Sequence, residues 1–108
     1  MRRRKSVPPV VREVSEALRG LYGPRLRKVI LYGSQARGDA TPESDIDLMV
    51  VLADCAEAES ECERMAPMAN ELSLKHDVVV TVFPIAEEDY RRRNSPLLLN
   101  VRKEGVSV

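Results

Sequence analysis

The chain has 108 residues, 44% of them hydrophobic, with 17 basic and 17 acidic side chains and no net charge at pH 7. That length suits one small domain burying roughly two thirds of its unfolded surface, and the balanced charge provides no field for generic nucleic-acid binding. No run approaches the roughly twenty apolar residues of a membrane span, and the basic start Arg2-Arg3-Arg4-Lys5 leads into Pro8-Pro9 rather than a signal-peptide core. A single cytoplasmic domain over 1–108 is expected, with 1–7 as a basic tail outside the fold.

In chain order, Val10, Val11, Val14, Ala17, Leu18 and Leu21 share one helical face, so a helix is expected from about 9 to 21, ended by Gly23-Pro24. Apolar, β-branched runs predict strands near 27–32 and 46–52. Between them, Ser34-Gln35-Ala36-Arg37 suits a short helical turn stopped by Gly38-Asp39. Cys62, Met65, Ala69 and Leu72 form the stripe of a second helical region, 56–72, in which Pro67 predicts a kink or break near Ala66. A third strand is expected over 77–83, ended by Pro84. Ser95-Pro96 has N-cap and first-turn chemistry for a last helix reaching about Lys103, with Gly105 as its stop and Val106-Ser107-Val108 as an added edge strand. These elements describe an α/β domain with a mixed three- to four-stranded sheet flanked by helices.

The chemistry concentrates in residues 33–50. Residues two apart on a strand point to one face, so Asp45 and Asp47 project together, their roots roughly 7 Å apart, while Ile46 faces the core. Two convergent carboxylates at a strand start suit a hard cation such as Mg²⁺, which retains waters for substrate phosphates to replace. Gly33 lets a phosphate approach the backbone, Ser34 at a helical N-terminus adds N–H and hydroxyl donors, and Arg37 one turn on can reach the same phosphates. Each piece alone also describes an ordinary turn or a solvated strand start. Their combination between two apolar strands is what points to a nucleotide site. Asp77, opening the run Val78-Val79-Val80-Thr81-Val82-Phe83, is placed where a neighbouring strand could bring it beside the first two acids.

The Gly-Ser pair, ten residues and Asp-Ile-Asp, set within GSQARG and SDIDLMVVL, resemble the minimal nucleotidyltransferases (MNT) of the DNA polymerase β superfamily. The resemblance continues through His76-Asp77-Val78-Val79-Val80 and the tail from Leu97 to Val106. Position 35 is Gln where many relatives carry Arg, which sets one phosphate or partner contact aside and leaves the metal site intact. The resemblance implies the polymerase β-like nucleotidyltransferase fold and Asp77 as third acid. In that scheme Asp45, Asp47 and Asp77 hold two Mg²⁺ ions roughly 4 Å apart, while Gly33, Ser34 and Arg37 bind the phosphates of ATP.

The larger members carry further domains that grip nucleic acid or present the acceptor, and none is expected within these 108 residues. The resemblance implies a small helical HEPN-family protein, encoded nearby, as partner: a toxin whose tyrosine hydroxyl receives AMP from ATP, with this chain as antitoxin. Two other functions fit the sequence. One is a non-catalytic antitoxin acting by contact, and the other is nucleotidyl transfer to a small hydroxylated molecule enclosed by a second domain or an oligomer. Other features read plainly. Cys55 and Cys62 match no zinc spacing and are expected to be reduced, His76 reads as a surface or partly packed residue, and Arg91-Arg92-Arg93 reads as a solvated helix face.

Overall fold

The computed structural model describes residues 7–33 and 45–108. Helix α1 spans Pro9–Tyr22, with Pro9 in the first turn where its missing N–H costs nothing. A 3-10 turn over Gly23–Arg25 leads into β1, Leu26–Tyr32, and β2 follows over Ile46–Leu52. Helix α2 is Ala58–His76, β3 is Val80–Ala86, α3 is Glu87–Arg92, α4 is Pro96–Glu104 and β4 is Val106–Ser107. The strands form one mixed sheet in the order β3-β2-β1-β4, in which only β2 and β3 run parallel.

The two faces of this sheet are covered unequally. One face, carrying Val29, Leu31, Ile46, Leu48, Val50 and Leu52, packs against α1 and α2 through Val14, Leu18, Met65 and Ala69. The other carries Ile30, Met49, Val51 and Ile85 and packs against Tyr90 of α3 and Leu98 and Val101 of α4. A strand buried on both faces reads as a continuous apolar run, which explains Leu48-Met49-Val50-Val51-Leu52. The short helices α3 and α4 leave the second face open where β2 begins, and Asp45 and Asp47 lie there.

Four expectations are corrected. Pro67 does not break α2; it is exposed, so water can satisfy the backbone carbonyl that its missing N–H leaves unbonded. Pro84 lies inside β3, opposite Val50, and is tolerated because β3 is an edge strand. The third strand occupies 80–86 rather than 77–83, because α2 runs on to His76 and the chain then turns. Ser73 fixes that turn: its carbonyl accepts the Val78 N–H at 3.1 Å and its hydroxyl accepts the Val80 N–H at 3.1 Å. Leu21, expected on the buried face of α1, is 40% exposed, and Tyr22 is buried in its stead, four residues after Leu18. The Tyr22 hydroxyl donates to Glu61 Oε1 at 3.0 Å, and Arg25 pairs with Glu61 at 2.6 Å, which ties α1 to α2.

Candidate active site

Asp47 sits second in β2, half-buried, with Tyr32 opposite it on β1 and Thr81 beside it on β3. Paired residues of adjacent strands share a face, so Tyr32, Asp47 and Thr81 form one row across the open part of the sheet. Asp45, exposed, precedes β2, and the N–H of Ile46 donates to the Val79 carbonyl at 2.8 Å. Alternation puts Asp45 on the same face as Asp47. The pair expected from the sequence is therefore formed, and Ile46 between them is 1% exposed in the core.

Gly33 closes β1 with φ +76°, in the left-handed region. A Cβ at this position would lie 2.9 Å from Asp47 Oδ2. The glycine thus does two things: it allows the turn out of β1, and it gives the Asp47 carboxylate room against bare backbone. A pocket of about 180 Å³ beside it is lined by Tyr32, Leu97, Asn100, Val101 and Glu104.

The electrostatics fit a cation. Burial raises the Asp47 carboxyl above the ordinary carboxylate range, and the charge of Asp45 adds to the rise. A half-buried carboxylate with a second one on the same face forms a donor set that a divalent metal would satisfy. Tyr32 is raised as well, first by burial and then by Asp47.

The other expected site residues divide in two. Ser34 and Arg37 lie outside the described residues. Asp77 is described, and it caps α2 in the left-handed conformation, φ 54° and ψ 44°, three residues ahead of β3. It does not open a strand, and no group of three His, Cys, Asp or Glu able to hold a metal ion is present among the described residues. Asp accepts left-handed backbone more readily than most residues, which lets Asp77 end the helix. His76 is partly packed and pairs with Glu13 of α1. Cys55 and Cys62 are free thiols. In the arginine cluster, Arg92 pairs with Glu88 one turn back. The row partners Tyr32 and Thr81 were not found from the sequence, since nothing in it states the register between strands.

Among the described residues no helix is long and apolar enough to cross a membrane. Comparison with known proteins agrees with the geometry. Residues 11–97 match the family described as nucleotidyltransferase domain. A Methanocaldococcus jannaschii protein named "Putative protein adenylyltransferase" is 34% identical over 96 residues, covering 88% of this chain and 90% of its own length. Among solved structures, a toxin-antitoxin complex with AMP-PNP matches with TM-score 0.61 and 24% identity over 87% of this chain and 68% of that one. The complex of a tri-AMPylated Shewanella oneidensis HEPN toxin with an MNT antitoxin matches with TM-score 0.52 and 22% identity, over 91% of this chain and 70% of that one. At such identities the two structures speak for the fold. The chain therefore belongs to the nucleotidyltransferase domain family, whose minimal members its Gly-Ser and Asp-Ile-Asp motifs resemble.

Proposed function

We propose that this nucleotidyltransferase transfers AMP from ATP to a tyrosine hydroxyl of a HEPN-type toxin encoded nearby, and so acts as its antitoxin. The observation that carries the reading is the row at the open end of the sheet: Asp45 and Asp47 on one face, with Gly33 backbone against the Asp47 carboxylate. The adenylyl group is supported by the name of the M. jannaschii relative, and the toxin partner by the fold shared with toxin-antitoxin complexes.

In this reading the acceptor oxygen bonds to the α-phosphorus as the bond to the β-phosphate bridge breaks, and pyrophosphate leaves with the electron pair. Mg²⁺ held by Asp45 and Asp47 would lower the pKa of the attacking hydroxyl and offset charge on the departing pyrophosphate. Gly33, Ser34 and Arg37 would stabilise charge on the β- and γ-phosphates. In this reading Asp77, which ends α2 three residues ahead of β3, is the third acid, and its carboxylate accepts the acceptor's proton.

The position of Asp77 in a helix cap favours a second reading, neutralisation by contact alone. One experiment separates the two: the protein is incubated with Mg²⁺, ATP and the neighbouring helical protein, and both chains are weighed intact. A gain of AMP units on the partner, lost in the double variant Asp45→Ala, Asp47→Ala, supports transfer. A partner that stays unmodified yet binds, and is neutralised equally by the double variant, refutes it.

A further inference from the structure

The only phenylalanine of the chain is not in the core. Phe83 lies on edge strand β3 opposite Met49, two residues beyond Thr81, and is 42% exposed. It therefore stands on the same open face as Asp47. Leu97, at the start of α4, is 39% exposed and lines a pocket of about 220 Å³ together with Phe83. Leu97 also lines the smaller pocket beside Tyr32 and Gly33, so its side chain lies between the β3 side and the β1 side of the site.

In-line transfer gives these positions a meaning. The attacking and leaving oxygens lie on opposite sides of the reacting phosphorus. Gly33 ends β1, on one flank of Asp47, and in the transfer reading the departing pyrophosphate is seated on that flank. The acceptor must then arrive over the opposite flank, which is β3, and the side chains there are Thr81 and Phe83. An aromatic ring left half-bare on the same face as Asp47, two residues beyond Thr81, offers a phenolic side chain an edge or a face to pack on.

We propose that Phe83, flanked by Thr81 and Leu97, is the specificity-determining residue that seats the aromatic ring of the acceptor tyrosine. The inference rests on the transfer reading above and adds the side from which the acceptor approaches. Phe83 is a positioning residue that contacts the acceptor and leaves the phosphates untouched.

The test is Phe83→Ala and Phe83→Tyr in the full chain, with transfer of AMP to the neighbouring helical protein followed at varied acceptor and varied ATP. Phe83→Ala is expected to lower kcat/KM for the acceptor about tenfold while leaving KM for ATP unchanged. Phe83→Tyr is expected to retain most of the activity. Because the ring is exposed, melting curves of both variants should match the parent. Unchanged kcat/KM for the acceptor in Phe83→Ala, or a loss carried by KM for ATP, overturns the proposal. If the parent protein transfers no AMP, the transfer reading fails by itself, and calorimetric titration of the same two proteins then decides on Phe83. About tenfold weaker binding by Phe83→Ala supports a partner-seating role, and equal binding or none by the parent overturns it.

Discussion

Replacing Gly33 by alanine tests the link between backbone and carboxylate most directly. Two costs can be worked from the geometry. The backbone at φ +76° is left-handed, and a residue with a Cβ pays about 1–2 kcal/mol there. The new Cβ would also stand 2.9 Å from Asp47 Oδ2, nearer than ordinary contact. The Asp47 side chain can swing away, at about 0.5–1.5 kcal/mol for leaving its rotamer. Together these predict a loss of about 1.5–3.5 kcal/mol in urea unfolding. In the proposed site the functional cost is larger in proportion, because the swing would displace an oxygen meant to hold the metal, and misplacement by about 1 Å can lower a rate some hundredfold. Gly33→Ala is therefore expected to retain its fold and lose AMP transfer by about two orders of magnitude at saturating Mg²⁺ and ATP. A cycle with Asp47→Ala isolates the clash, and the stability coupling should be about 1 kcal/mol. A variant within about 0.5 kcal/mol of the parent and equally active would refute the proposed contact.

Gly105→Ala supplies the contrast away from the site: its Cβ would be driven into the backbone carbonyl of Val101 and to 2.6 Å from Ile30 Cγ2, so a loss of about 1–3 kcal/mol in chemical denaturation is expected. Asp47→Asn should abolish transfer yet raise the melting temperature at neutral pH without Mg²⁺. The sign follows from the raised Asp47 pKa: the native state holds its proton to higher pH than the unfolded chain, so the penalty on wild type is full above the raised value. Melting curves of the two proteins should converge as pH falls through the ordinary carboxylate range. Tyr22, pushed up to about 12 by burial and by Glu61, should contribute stability that is complete below the ordinary tyrosine range and lost as pH rises toward 12; alkaline unfolding of Tyr22→Phe should lack that limb.

The motif and most of the fold were legible because they are local. Gly33 and the Asp45/Asp47 pair follow from spacing alone, and β2 is bounded as its apolar run suggests, Ile46–Leu52. What was not legible depends on tertiary context. Pro67 and Pro84 carry strong breaking signals, but one lies on the wet side of a helix and the other on a free sheet edge, and neither setting can be read from nearby residues. Val78 and Val79 have strand chemistry yet serve a turn, because Ser73 collects the N–H groups of Val78 and Val80. The helix Glu87–Arg92 has no sequence signal of its own; at six residues it is held by Tyr90 packing into the second core rather than by an apolar stripe.

The unequal cover of the sheet ties these observations together. A chain this small gains most of its stability from one complete layer, and here that layer is α1 and α2 on a face with Leu31, Leu48, Val50 and Leu52 fully buried. The second face can then be left half-open at modest cost. The opening exposes the row Tyr32, Asp47 and Thr81, with Gly33 on one flank and Phe83 on the other. In the proposed transfer, phosphates seated by backbone would require a bare glycine and a ring-bearing acceptor apolar surface, and the two flanks offer one each. Moving Phe83 into the core or covering it with a longer α4 would raise stability and, in the proposed transfer, close the acceptor's side.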